Sequence, residues 1–335
     1  MQRKCCNMAG SMHSWNTIMF EYSAIQALII LIVLIFLGMF LREWGILKDS
    51  DGLTLSKIII NVSIPALIIS ALSTQDFEAE KLLLALVMII SQLTCAFIAW
   101  IISWMLRLSR PRRGALILAS TFTSSAFLGY AVVKEAFHDN AEALADAAIV
   151  SELGVATLLF TVGVFIAMYF GNAEQASFKQ KMKEMTRFFY SPIFIALVVG
   201  ISISFLDLPQ GNVVVSGIYR MLNLIANANT FLVALTIGVM LYFKDLRKVW
   251  WIVAVAVVIK LILQPLFSHL QAGWFQFPEL WHQIVVLEAA MPTAAMTAVF
   301  AKRYGCDAEL TSILIFATFI SSCITMITMV LLLHS

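Results

Sequence analysis

An all-α membrane protein of ten transmembrane helices is the fold class the sequence predicts, from its composition, its continuous apolar blocks and its one-sided basic loops. Of 335 residues, 61% are apolar or aromatic and 13% are charged, against about 25% charged in soluble domains. The apolar residues come in blocks such as Ala24–Leu41, Leu82–Leu106, Ala147–Phe170 and Ile313–Leu333, and crossing hydrocarbon takes roughly 20 residues of helix. Barrel strands would instead read as short alternating segments of about 10 residues. These blocks are unbroken and rich in Leu, Ile, Val and Met, so they are helices, with every backbone group bonded inside its own segment.

Charged and turn-forming clusters place the spans near 23–41, 53–73, 82–106, 114–136, 145–170, 190–207, 214–243, 249–269, 282–301 and 310–333. Connections after odd-numbered spans carry Arg42 and Lys48; Arg107, Arg110, Arg112 and Arg113; Lys179, Lys181, Lys183 and Arg187; Lys244, Arg247 and Lys248; and Lys302 and Arg303. The other connections are acidic or uncharged, so about fifteen basic residues stand against one or two. Short basic loops stay cytoplasmic, which puts both termini outside a multi-pass plasma membrane protein (the inner membrane, if the cell is bacterial).

The net charge of +2 and the lack of a basic tract point away from nucleic acid. The five cysteines have no metal-ligand spacing, so neither a metal nor a disulfide framework is expected. No HExxH, GxSxG or phosphate-cradling glycine loop occurs, and no cofactor or enzymatic activity is expected. The histidines all fall near loops or ends.

An internal repeat organises the chain. Asn61-Val-Ser-Ile-Pro65-Ala-Leu in span 2 resembles Asn227-Ala-Asn-Thr-Phe231-Leu-Val in span 7, offset by 166 residues. This fits a lead-in without regular structure (1–20), a first five-helix repeat (21–171), a cytoplasmic connection (172–189) and a second five-helix repeat (190–335). A repeat with an odd number of spans inserts upside down, and transporters built this way hold their solute at mid-membrane on interrupted helices. Span 9 carries Glu288-Ala-Ala-Met-Pro292-Thr293-Ala-Ala-Met-Thr297, where proline removes a backbone donor. Span 4 carries Ser120-Thr-Phe-Thr-Ser124-Ser125-Ala-Phe-Leu-Gly129, rich in hydroxyls. A simple kink or a close-packing surface is the plainer reading of each.

These segments resemble the auxin efflux carrier family, which includes bacterial malate-permease-like proteins. The resemblance is carried by Leu55-Ser-Lys-Ile-Ile-Ile-Asn61-Val-Ser-Ile-Pro65, by Glu288-Ala-Ala-Met-Pro292-Thr-Ala with Phe300-Ala-Lys-Arg-Tyr-Gly305-Cys-Asp307, and by the spacing of Lys260 to Pro265. It implies two inverted repeats, a scaffold of spans 1, 2, 6 and 7, and a mobile bundle in which interrupted helices 4 and 9 cross and hold an organic anion. It also implies a homodimer. The chain departs from the family pattern at the first crossover, where Ser124 replaces an asparagine, Ala126 a glycine and Ala131 the proline; Phe231 stands where span 7 often has proline.

The expected function is secondary transport of a small organic anion, a carboxylate, driven by a proton or the membrane potential. The alternatives are sodium coupling and a non-transporting sensor of the same fold. Ser124, Ser125, Pro292, Thr293 and Thr297 are the expected substrate contacts. Ionisable groups inside a span are costly and face a cavity or each other, so Glu152, Lys260 and Glu288 are coupling candidates, with Lys260 expected to pair with one glutamate. A static ion pair that fixes packing is the competing reading. Asn61 and Asn227 are expected to hydrogen-bond across the repeat interface, while Lys57 and Arg220 snorkel toward lipid headgroups.

Overall fold

The computed structural model describes residue 26 and residues 29–75, 78–138, 140–171, 188–206, 212–240 and 249–332. The expected lead-in, most of the connection at 172–189 and the basic residues at 179–187 and 244–248 lie outside these. The described residues are helical, and the one β-bridge among them joins Thr123 to Thr293. The helices are α1 (29–43), α2 (Asp49–Ile58), α3 (Ile64–Leu72), α4 (Leu82–Met105), α5 (Arg110–Thr121), α6 (Tyr130–Ala136), α7 (Ala141–Ala148) and α8 (Val164–Phe170). There follow α9 (Pro192–Ser204), α10 (Val213–Asn227), α11 (Asn229–Met240), α12 (Trp250–Val258), α13 (Gln264–Trp274), α14 (Glu279–Ala289), α15 (Met296–Tyr304) and α16 (Ala308–Leu332).

Several of these join end to end. Among the described residues, six continuous helices are long and apolar enough to cross a membrane: Ser50–Leu72, Ala79–Met105, Ala141–Phe170, Val213–Met240, Trp250–Trp274 and Ala308–Met326. Two of them run through prolines. Pro65 and Pro265 sit at the second position of α3 and α13, each behind a five-residue π turn, Ile59–Ser63 and Ile259–Leu263. Proline leaves one carbonyl without its usual partner and crowds the preceding turn, and the wider π register relieves the crowding without ending the helix.

The remaining apolar segments are shorter. Helix α9 has 13 residues. Two others are broken in the middle: α5 stops at Thr121 and helix resumes at Ser125, while α14 stops at Ala289 and helix resumes at Met296. With 12 and 11 residues, α5 and α14 rise about 16–18 Å, near half the hydrocarbon thickness. Both interruptions fall where the sequence places them, although no proline stands at the first.

Two groups of helices are apparent from the packing. Helix α3 packs on α9 and α10, and α2 on α11. Helix α1 joins them where Gly38 meets Gly238; a Cβ on Gly238 would lie 2.2 Å from the Ile35 carbonyl oxygen, and one on Gly38 2.6 Å from that of Leu235. Both obstacles are backbone, so only glycine permits this approach, a common device between membrane helices. The second group packs α4 against α5 and α13, α13 against α14, and α16 against α5, α12 and α15. The groups meet through α3 on α7 and α6 on α11.

One hydrogen bond joins the two similar segments noted in the sequence. Ser63 donates to Asn229 Oδ1 at 2.9 Å, both residues being buried and 166 apart. Asn61 instead is exposed and donates to the Lys57 carbonyl within its own helix, and Asn227 accepts from Lys134 Nζ. The polar contact between the segments thus lies two residues further along each than expected, because Ser63 and Asn229 are on the faces turned toward each other.

Candidate functional site

The two interruptions meet. Ser124 N donates to the Pro292 carbonyl at 2.8 Å, and Ala294 N donates to the Phe122 carbonyl at 2.9 Å, forming an antiparallel bridge centred on Thr123 and Thr293. Unwound backbone inside a membrane must find partners within the protein, and here each broken segment supplies them for the other. That reciprocity accounts for the first break persisting with Ala131 in place of a proline. The amides of Ser124 and Ala294 are therefore already bonded.

Side chains then close the C-terminal ends of both first halves. Thr123 Oγ1 donates to the Glu288 carbonyl at 2.9 Å, Thr293 Oγ1 to the Ala119 carbonyl at 2.5 Å, and Lys260 Nζ to the Ala289 carbonyl at 2.9 Å. Lys260 is fully buried, and none of the ion pairs among the described residues joins it to a glutamate. The expected Lys260–glutamate pair is corrected: its ammonium caps the C-terminus of α14, where the helix dipole favours a cation.

The five expected contact residues divide accordingly. Pro292 is buried and gives its carbonyl to Ser124. Thr297 Oγ1 donates to the Ala294 carbonyl, and Ser125 shares a 2.9 Å hydrogen bond with Ser151. Thr293 is occupied as above. Ser124, half-buried, forms no side-chain hydrogen bond among the described residues. Of these five residues, it is the one whose hydroxyl is left available.

The glutamates differ just as sharply. Glu152 accepts from Tyr130 Oη at 2.8 Å and from Ser151 Oγ at 3.2 Å, so a chain of hydroxyls ties it to Ser125 at the crossing. Glu288 is fully buried, and neither carboxylate oxygen has a hydrogen-bond partner. It rests against Gly129, where a Cβ would come within 2.3 Å of its Oε2. Gly129 leaves the room that the Glu288 carboxylate fills.

Sequence reading missed Thr123, Tyr130 and Ser151, although all three lie beside residues it singled out. It also missed two lysines. Lys81 is buried 2.9 Å from Asp146 Oδ1, and Lys134 is buried with its Nζ 2.9 Å from both the Ala226 carbonyl and Asn227 Oδ1. For Lys81 the signal available was a charge at one span end with the opposite charge of Asp146 at the start of another. His269 and His282 share a 2.9 Å contact, and no group of three or more metal-ligating side chains occurs among the described residues.

Known proteins resemble this chain over most of its length. The chain is 27% identical over 299 residues to an uncharacterized transporter of Methanocaldococcus jannaschii, covering 88% of this chain and 93% of that one. It is 26% identical over 303 residues to an uncharacterized transporter of Methanothermobacter thermautotrophicus, covering 90% and 95%. The sequence model described as "membrane transport protein" matches residues 23–330. With its apolar helices, its two broken helices and a match over most of its length, the chain is a multi-pass membrane protein of the membrane transport protein (auxin efflux carrier) family.

Proposed function

We propose that the protein is a secondary active transporter of a small organic carboxylate, driven by a proton or the membrane potential. The observation that carries this is the polarity of the crossing. The carbonyls of Ala119, Glu288 and Ala289, at the C-terminal ends of α5 and α14, already accept from Thr293, Thr123 and Lys260. The helices that resume at Ser125 and Met296 begin at the same crossing, and helix N-termini carry partial positive charge and unpaired N–H groups that favour anions. A crossing with its carbonyls capped and its N-termini open selects an anion over a metal cation, which favours proton or potential drive over sodium coupling.

Within the same reading, the chain forms ten spans in two inverted five-helix repeats with both termini outside. Ser63 and Asn229 support it, since equivalent positions touch only near the axis relating two repeats. So does the paired packing of α2 on α11 and of α3 on α9. The group containing α1, α3, α9 and α11 is the scaffold, on which two protomers pair, and the group containing the crossing moves against it. Cysteines placed singly at Gln271 and at Phe178, in a chain without native cysteines, test both points. Labelling by an impermeant thiol reagent is expected at 271 and protection at 178, with cross-linked dimers in native membranes. The opposite labelling pattern overturns the orientation, and monomers alone at every concentration overturn the dimer.

Transport itself is tested by counterflow in reconstituted vesicles with radiolabelled acetate, succinate and benzoate. Flux is expected for the wild-type chain, and Pro292→Ala is expected to lower it by about tenfold, about 1.4 kcal/mol. The new amide at position 292 lets α14 wind further and draws the carbonyl away from Ser124. Binding without flux would establish a sensor, and full flux in Pro292→Ala would remove the crossing from the mechanism.

A further inference from the structure

A buried charge bridges the two groups of helices. Lys134, on α6, is 5% exposed and donates from Nζ to the Ala226 carbonyl and to Asn227 Oδ1, both at 2.9 Å. These partners close α10, and α11 begins at Asn229 after the single residue Ala228. The C-terminal end of a helix favours a cation, so Lys134 caps α10 from the opposite group much as Lys260 caps α14. The surfaces that meet between the groups are otherwise apolar. Leu67 and Ala71 of α3 share one buried cluster with Ala143 and Ala147 of α7, and the two helices pack together. Apolar contact is non-directional, whereas charge-assisted hydrogen bonds are both strong and directional. Lys134 therefore gives a surface that could slide one fixed position.

The same carbonyl has a second donor beside it. Helices α10 and α11 join in one span, Val213–Met240, and Thr230 lies one turn beyond Ala226 along it. A threonine inside a helix bonds readily to the carbonyl four residues back. Thr94, Thr121, Thr161 and Thr236 do so here, donating to the carbonyls of Ile90, Ile117, Thr157 and Leu232. Thr230 is different: it is 4% exposed, and its Oγ1 has no hydrogen-bond partner among the described residues. The carbonyl in the matching position, that of Ala226, is held by Lys134. A buried hydroxyl without a partner carries a penalty, and departure of the ammonium relieves it. The Ala226 carbonyl then accepts from Thr230 and is not left bare. Asn227 is exposed, so an ammonium withdrawing past it keeps polar surroundings.

We propose that Lys134 is a latch between the group containing the crossing and the scaffold, with the Ala226 carbonyl as its switch point. The carbonyl accepts either from Lys134, with the two groups held, or from Thr230, with the groups free to move. Exchanging one donor for another keeps the acceptor bonded in both states, so neither state exposes a bare carbonyl to the interior. Discrete alternatives of this kind turn a sliding interface into a two-position one. Helix α6 carries the movement to the crossing, because Lys134 is one turn beyond Tyr130, which donates to Glu152. The consequence for flux rests on the proposed transport function, whereas the latch itself does not.

The test uses the full chain in lipid nanodiscs, with native cysteines replaced and spin labels at the exposed positions Glu78, before α4, and Leu206, after α9. Double electron–electron resonance then reads the distance between the groups. The wild type is expected to show a held and a released distance. Lys134→Met is expected to raise the released-to-held ratio roughly tenfold, and Thr230→Val to lower it roughly tenfold, since release then leaves a buried carbonyl bare. Thr230→Ser keeps the hydroxyl and is expected to match the wild type. Within Lys134→Met, adding Thr230→Val is expected to change nothing further, because two donors that compete for one acceptor are not additive. Thr230→Val is nearly isosteric, so it keeps the test decisive should Lys134→Met fail to insert. Shifts of the same sign, a Thr230→Val ratio equal to the wild type, or one distance common to every chain overturns the proposal. Counterflow of radiolabelled benzoate in vesicles of the same chains is expected to fall several-fold in Thr230→Val. Distances that shift as stated in a wild type that moves no solute would defeat the transport reading and leave the latch standing.

Discussion

Replacing Lys260 with methionine is expected to reduce carboxylate flux by roughly tenfold or more, a loss of about 1.4 kcal/mol in barrier height, without lowering the unfolding temperature. Two opposing effects act on stability. Loss of the ammonium uncovers the buried Ala289 carbonyl, at a cost of about 1–3 kcal/mol. It also removes a charge from a fully buried position, and desolvating an ion costs several kcal/mol, so the net change in folding is small or favourable. Function has no such offset. With Lys260 gone, the C-terminal dipole of α14 is left uncompensated beside the crossing and repels the anion that the N-termini attract. Vesicle counterflow and thermal unfolding of the same preparation check this. Undiminished flux would make Lys260 a packing residue, and a chain that no longer inserts or unfolds far below the wild type would make its charge a structural cap.

Glu288→Gln is expected to abolish the dependence of transport on a pH gradient while leaving solute binding within about threefold of wild type, less than 0.7 kcal/mol. Glu152 is held by Tyr130 and Ser151, so its protons and acceptors are committed to positioning Ser125. Glu288 has no such partners, and a bare carboxylate inside the membrane is a costly charge that proton uptake neutralises. The wild-type carrier would therefore gain a proton on the acidic side and release it on the alkaline side, and an inward acidic gradient would drive accumulation. Glutamine mimics the neutral form on both sides, so exchange continues and accumulation stops. Counterflow and gradient-driven uptake at two external pH values distinguish the outcomes. Gradient-driven accumulation that persists in Glu288→Gln would move the coupling to Glu152 or to the membrane potential alone.

Much of the architecture was legible from the sequence because hydrocarbon is a simple solvent. It demands long apolar helices, and those at Leu82–Met105 and Ala308–Leu332 could be marked out by length and hydropathy. It tolerates broken helices only where special residues occur, and Pro292 with the Ser124–Ser125 hydroxyls marked both breaks. The family resemblance carried by Asn61 to Pro65 and Glu288 to Pro292 was legible too, and the matched family bears it out.

The partners were decided only by the tertiary structure. Nothing local to Lys260 distinguishes a glutamate from the Ala289 carbonyl as its acceptor, and nothing in a run of serines and threonines says which hydroxyl remains available. The amides of Ser124 and Ala294 became donors to the opposite break because the two segments lie side by side. Ser63 rather than Asn61 reached Asn229 because of the face it occupies. Inside a membrane each polar group must find a partner or carry a penalty, a condition that composition reveals. Which partner it finds depends on proximity between residues far apart in the chain, and only the packed helices supply that.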